Sequence, residues 1–379
     1  MKNQKKLKFN FTLLLFTLLA SNFIMGQNNL EVFKKVSSDW KTDFRKHIVD
    51  FSELMGGGPP RDGITSIDKP KFISIKDAKE WLGFENPVVS LEVNGVAKAY
   101  PLEILIWHEI INDRIGNTPV SITFCPLCYS TSVFKRIVNG EETTFGTSGL
   151  LRNSNLVMYD RLTESFWQEF TGEAIIGEMT GTKLKNLPSQ IISFKQFEKA
   201  YPNGIVLSRE TGFNRSYGHN PYVGYDNINT KPFLYRGNND SRLPPNEKII
   251  AVELDDYYKA YPYSITERKK VINDVVNGKP VLILHLIGAV SALDSRNINE
   301  SRNVGSTGAF SRIVNGKLLT FKYNNLKVID DQTNSVWSIS GKAIEGKLKG
   351  TQLKHILHGD YFSFAWFVFR PETKLYKAN

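Results

Sequence analysis

The chemistry open to this chain is concentrated at Cys125 and Cys128, the only two cysteines among 379 residues, set two residues apart in Phe124-Cys-Pro-Leu-Cys128. Such a pair has two chemical uses. As a dithiol it cycles with a disulfide, which requires one sulfur to be held as thiolate by a helix N-terminus or a nearby cation. As a metal knuckle it offers two thiolates to one ion. Four-cysteine structural zinc is excluded by the count, but two cysteines, one histidine and an open position would suit catalytic zinc, copper or iron. His108, 17 residues upstream, is the candidate third ligand, or the group that tunes a thiolate or passes protons, and Arg152 is a second candidate cation. A disulfide across so short a loop adds only about 2 kcal/mol in the chain-entropy picture, so stapling alone is a weak reason for it. Redox chemistry at Cys125, Cys128 and His108 is the preferred reading. The alternatives are a metal centre on the same three residues, and a non-enzymatic binding protein with an inert disulfide.

An internal repeat says which residues the scaffold needs. Val89-Ser-Leu-Glu-Val-Asn-Gly-Val-Ala-Lys-Ala-Tyr-Pro101 matches Ile250-Ala-Val-Glu-Leu-Asp-Asp-Tyr-Tyr-Lys-Ala-Tyr-Pro262, and Ile111-Asn-Asp113 matches Ile272-Asn-Asp274 in the same register. Beyond a 15-residue insertion in the second copy, Arg136-Ile-Val-Asn-Gly140 meets Arg312-Ile-Val-Asn-Gly316, and Asn155, Asp160 and Trp167 meet Asn325, Asp330 and Trp337. Shared residues are assigned to turns, caps and core. The first copy alone has the cysteines, which oppose Leu286 and Ala289. It alone has His108, which opposes Lys269, and a six-residue surplus within Gly146-Thr-Ser-Gly-Leu-Leu-Arg-Asn-Ser154. Arg152 and Asn153 of that surplus, with Tyr159 opposite Ile329, are candidate ligand-binding residues.

The elements carrying these residues read mainly as strands. Asn94-Gly95 and Asn139-Gly140 are hairpin turns between alternating segments. Pro101 to Asn112 has helical apolar spacing behind a proline at the first turn. Ser74-Ile-Lys-Asp77 caps a helix reaching Trp81 and Leu82. Residues 56–63, rich in Gly and Pro, form a loop, and residues 146–154 are also read as loop. The fold expected is α+β and β-rich, with two internally duplicated β-dominated halves and short helices. It is not a thioredoxin fold, because a strand, not a helix, follows Cys128. The divisions are a signal peptide (1–26), a lead-in and loop (27–86) with helical character from Leu30 to Trp40, and repeat copy 1 with the cysteine site (87–185). A connecting region (186–247), a degenerate scaffold copy 2 (248–354) and an aromatic C-terminal segment (355–379) follow, the last read as a core strand or helix. His355 and His358 are read as surface positions.

These motifs are also the basis of a resemblance. Pro60-Arg-Asp-Gly-Ile64, Ala99-Tyr-Pro101, Trp107-His-Glu-Ile-Ile-Asn-Asp113, Cys125-Pro-Leu-Cys128, Phe145-Gly-Thr-Ser-Gly-Leu-Leu-Arg-Asn-Ser154 and Met158-Tyr-Asp-Arg161 resemble the bacterial family catalogued as domain of unknown function 3179. The likeness runs on through Arg242-Leu-Pro-Pro245 to Phe364-Ala-Trp-Phe367. It implies no established activity. Where that family usually has glycine after the second cysteine, this chain has Tyr129.

Composition bounds the setting. Four lysines precede a short apolar run in residues 1–26, the pattern of a secretory leader, so the protein is expected to be exported, periplasmic or extracellular. Removing the leader lowers the formal charge from +10 to +6, spread too widely for a nucleic-acid footprint, and leaves no stable membrane span. With 41% hydrophobic and 12% aromatic residues the core needs no disulfide to hold it. The partner implied is a thiol, a disulfide or another small molecule, and a transition metal is required only under the alternative reading.

Overall fold

Asn94 and Gly95 adopt consecutive left-handed conformations (φ 52° and 81°), the backbone that a two-residue hairpin turn demands. They join β1 (Pro87–Val93) to β2 (Val96–Pro101), in register from Val93 against Val96. The computed structural model describes residues 39–238 and 240–378. The leader and almost all of the helical stretch expected from Leu30 to Trp40 lie outside the described residues.

Pro101 caps α1 (Leu102–His108), which is shorter than its periodicity predicts. Glu109 turns left-handed (φ 56°), and Ile110–Ile115 becomes β3. A strand buried on both faces carries the same apolar run as a buried helix, so spacing alone did not separate them. β4 (Thr118–Cys125) and β5 (Ser130–Lys135) form an antiparallel sheet with β3, to which Lys185–Asn186 adds a fourth strand beside β5. A second sheet contains β6 (Phe145–Arg152), β7 (Asn155–Asp160), β8 (Phe166–Gln168) and β9 (Glu173–Ile176), with Leu54–Gly56 on the outer edge of β6. The stretch expected as loop, 146–154, is therefore mostly strand β6, bulged between Thr147 and Leu150, because Leu54–Gly56 and β7 satisfy its backbone from both sides. β10 (Gln190–Ser193) returns beside β1. After α2 (Phe194–Ala200), β11 (Ile205–Leu207) lies parallel to β2. The loop at 56–63 is retained beyond Gly56. Ser74 accepts from Asp77 N as expected, but the helix it caps ends at Ala78.

The second half repeats this order. β12 (Lys248–Leu254), β13 (Tyr257–Pro262), α3 (Tyr263–Lys269), β14 (Val271–Val276), β15 (Lys279–Leu286) and β16 (Ser306–Ser311) follow one another as their counterparts do. Then come β17 (Phe321–Asn324), β18 (Lys327–Asp330), β19 (Val336–Trp337) and β20 (Ala343–Glu345) in one sheet. The chain ends with β21 (His358–Phe362) beside β12, α4 (Ser363–Phe369), and β22 (Lys374–Leu375) parallel to β13. The parallel thus runs past residue 185: β10–α2–β11 in the first half matches β21–α4–β22 in the second. The aromatic C-terminal segment is this strand and helix, packed in the core as expected. His358 is buried on β21, and His355 is half-buried against Phe310, so neither lies at the surface.

The residues common to both stretches make the same bonds. Tyr100 Oη donates to Asp113 at 2.7 Å, and Tyr261 Oη to Asp274 at 2.8 Å. Trp167 Nε1 donates to Asp160 at 2.9 Å, and Trp337 Nε1 to Asp330 at 3.0 Å. Asn112 brackets the backbone of Phe145, as Asn273 brackets that of Phe321. The protein is β-rich, with 41% strand and 11% helix arranged in several sheets with few short helices. The two halves interlock: β21 packs against β5, and β10 against β16. No described helix is long and apolar enough to cross a membrane.

Candidate functional site

Cys125 ends β4 and Cys128 lies in the four-residue turn that leads to β5, so the pair sits in a β-hairpin with no helix after it. The four carbonyls from Cys125 to Cys128 are all satisfied. Cys125 O accepts from Cys128 N at 3.2 Å and Pro126 O from Tyr129 N at 3.4 Å, while Leu127 O accepts from Tyr225 Oη at 3.2 Å and Cys128 O from Phe362 N at 2.9 Å. The connecting region and β21 therefore hold the turn closed, and the second half contributes directly to it.

Both thiols are reduced and buried, at 1% and 0% exposure, and the two cysteines approach to 4.3 Å. Both Sγ atoms face one acceptor, Ser154 O, at 3.9 Å from Cys125 and 3.5 Å from Cys128. Ser154 stands at the tip of the β6–β7 hairpin, where Asn153 and Ser154 have φ of 52° and 67°. In the second half the corresponding hairpin, β17–β18, is six residues shorter. The surplus residues thus lengthen a hairpin until its tip carbonyl reaches the sulfurs.

Two buried carboxyl groups complete the site, and neither was singled out in the sequence. Glu169 accepts from Thr123 Oγ1 and Ser130 Oγ, both at 2.7 Å, and from Asn155 Nδ2 at 2.8 Å. Burial raises its carboxyl, and the three hydrogen bonds oppose that. Glu109 follows α1, and its own carbonyl accepts from Phe124 N, next to Cys125. Burial, then the neighbouring Glu169 carboxyl, pushes it up to about 8, with no hydrogen bond from any described residue drawing it down. Burial also raises the Cys128 thiol, helped by the hydrogen bond to Cys125 and by the charge of Glu169, against a lowering from Asn155. Burial thus acts in one direction on Glu109, Glu169 and Cys128, against the charged form of each. The comparison of halves that marked the cysteines would have found these carboxyls too: Lys270 stands opposite Glu109, and Ile339 opposite Glu169.

The other expected members lie elsewhere. Both ring nitrogens of His108 are occupied, Nδ1 with Thr65 O and Nε2 with Tyr217 Oη, each at 2.6 Å, and burial pushes the imidazole down. The two-cysteine, one-histidine ligand set is not assembled, and among the described residues no three His, Cys, Asp or Glu side chains gather to hold a metal. Arg152 pairs with Glu53 at 2.7 Å and reaches Gln168 at 3.4 Å, so it is committed away from the thiols. Tyr159 belongs to a separate core, edge-on to Trp40 at 4.7 Å and bonded to Asp62 at 2.5 Å. Of the three candidate ligand residues only Asn153, in the hairpin turn, is near the dithiol. The cation expected to stabilise a thiolate is not among the groups acting on Cys128.

A β-rich α+β protein with a dithiol buried in a hairpin turn, roofed by the tip of a second hairpin, is the class these features define. The chain belongs to the family described as a protein of unknown function (DUF3179), which accounts for residues 61–373. No curated protein and no solved structure matches it.

Tyr129 has a left-handed backbone, φ 52°, a conformation that glycine adopts without strain. Its ring offsets the strain: it packs 5.8 Å from Phe124 and 5.7 Å from Phe362, beneath the Lys248 ammonium at 3.7 Å. Relieving the left-handed strain returns about 1–2 kcal/mol, whereas deleting a buried aromatic ring costs about 3–5 kcal/mol. Tyr129→Gly should therefore destabilise the fold by about 1–4 kcal/mol in urea unfolding. A variant as stable as the native protein would show that the ring does not stabilise the turn.

Proposed function

We propose that Cys125 and Cys128 form a two-electron thiol–disulfide couple in an exported protein, with Glu109 as the group that takes up and returns the proton. The observation that carries this reading is the convergence of both sulfurs on the single Ser154 carbonyl, at 3.9 and 3.5 Å, in two cysteines that approach each other to 4.3 Å. The charged-then-apolar start of the chain supports an oxidising compartment, in which such a couple can be cycled. Oxidation uses an external disulfide. One protein sulfur attacks it and the second displaces the mixed disulfide. The external S–S bond breaks, the Cys125–Cys128 bond forms, and the two thiol protons leave on the two external sulfurs. Because Cys128 is neutral and covered, exchange awaits movement of the cover near Tyr225 and a base to accept its proton. His108, held on both nitrogens, is replaced in this role by Glu109, which serves as the base only once it has itself ionised, as pH rises through about 8.

A second reading has one observation in its favour: burial and the raised Cys128 thiol also describe cysteines that only pack. Equilibrating the folded protein in glutathione buffers, then counting blocked thiols by mass, separates the two. We expect both thiols to vanish together at a potential between roughly −300 and −180 mV, and each single variant, Cys125→Ser or Cys128→Ser, to lose that transition. Two thiols that stay free until the protein unfolds would establish the packing reading. Stoichiometric metal released by a chelator would overturn both.

A further inference from the structure

An open groove of about 810 Å³ lies between the β17–β20 sheet of the second half and a wall formed by the end of β15 and by α2 with Pro202, a size within the roughly 300–1,000 Å³ of small-molecule sites. Its place in the fold is the counterpart of the dithiol site. Leu286, at the end of β15, pairs with Ser306 as Cys125 pairs with Ser130. Ile339 lies two residues beyond Trp337, as Glu169 lies two beyond Trp167. In the first half this space is roofed by the long β6–β7 hairpin and by the connecting region. In the second, the β17–β18 hairpin is six residues shorter, and the equivalent of the cysteine turn is the longer connection at 287–305. The sulfurs and the Glu169 carboxyl have been exchanged for Leu286 and Ile339, and the roof is missing.

What remains is an apolar floor with a cationic rim. Trp337 and Ile339 are buried beneath it, while Ile287 on its wall is 66% exposed. Four lysines and one carboxylate line it. Lys327 and Glu345 pair with each other at 2.9 Å, whereas Lys199, Lys342 and Lys349 make no ion pair among the described residues. An apolar trough with three uncompensated ammonium groups complements a molecule with an apolar body and an anionic end. We infer that this groove binds a soluble single-chain amphiphile through its apolar tail, with its anionic head among Lys199, Lys342 and Lys349. The inference is independent of the chemistry at Cys125 and Cys128.

Calorimetry of the full chain with dodecanoate, held below its micelle concentration, tests this. Saturable one-to-one uptake is expected, with affinity falling about tenfold or more in Ile287→Glu and in the triple variant Lys199→Ala/Lys342→Ala/Lys349→Ala, a loss of about 1.4 kcal/mol or more. Ile287 is largely exposed, so its substitution leaves the core intact. Dodecyltrimethylammonium, with a similar tail and a cationic head, should bind more weakly than dodecanoate. No saturable uptake, an unchanged affinity in Ile287→Glu, or equal binding of the cationic amphiphile would overturn the proposal. Binding only to vesicles of anionic lipid, with none to monomeric dodecanoate, would also overturn it and identify a membrane surface instead.

Discussion

Glu109→Gln is expected to leave stability unchanged near pH 4 and to make the protein more stable than the native sequence by about 3–5 kcal/mol at pH 9. The carboxyl is buried, and it titrates at about 8 in the fold against a reference value of 4.5. Between those values the unfolded chain releases a proton that the folded chain retains. Stability associated with this group is therefore complete below pH 4.5 and declines as pH rises to about 8, by 1.36 kcal/mol for each pH unit. Glutamine resembles the neutral acid and escapes the loss. Urea unfolding of both proteins from pH 4 to 9 measures the difference, and parallel curves would remove Glu109 from the site as described. The thiol-blocking rate provides a separate readout. If Glu109 accepts the thiol proton, the native rate should rise through pH 8 with an inflection that Glu109→Gln lacks.

The sequence made the sulfur pair and its hairpin legible for physical reasons. Cysteine is used nowhere else, and strand-like residues flank the pair on both sides; at two other hairpins, Asn94-Gly95 and Asn139-Gly140 specify backbone conformations that few other residues adopt. The repeated Tyr-Pro, Asn-Asp and Trp were likewise readable as scaffold, and Tyr100–Asp113, Tyr261–Asp274, Trp167–Asp160 and Trp337–Asp330 show what each does. The partners of His108 were not legible, because distance along a chain is a poor guide to direction in space. α1 turns that imidazole toward Thr65 and Tyr217, and the next residue, Glu109, is the one electrostatically linked to Glu169. The strand nature of 146–154 was hidden because its partner, Leu54–Gly56, lies far upstream in a stretch dominated by glycine and proline. Ser154 was invisible for a further reason. It acts on the sulfurs through a backbone carbonyl, which no side-chain pattern encodes.

The second large effect is expected at Glu169. Glu169→Ala should cost about 2–4 kcal/mol in urea unfolding, because it removes a buried acceptor from three donors and leaves a void. Thr123 Oγ1 keeps a second acceptor in Ser132 O at 3.1 Å and Asn155 Nδ2 keeps one in Ser130 Oγ at 3.1 Å, so the Ser130 hydroxyl bears most of the loss. Asn155 also accepts from Gln168 Nε2 at 2.6 Å and Phe170 N at 3.1 Å, and it begins β7 directly after Ser154. Glu169 thereby fixes the residue that fixes the hairpin tip over the thiols. A second consequence follows: in Glu169→Ala the thiols should be blocked faster than in the native protein under conditions where both remain folded, whereas Glu169→Gln, which retains an acceptor, should lie between them. Loss of stability without faster blocking would mean that Glu169 supports the core alone. Faster blocking would mean that the two halves of the site, acid and sulfur, are mechanically joined through Asn155 and the Ser154 carbonyl.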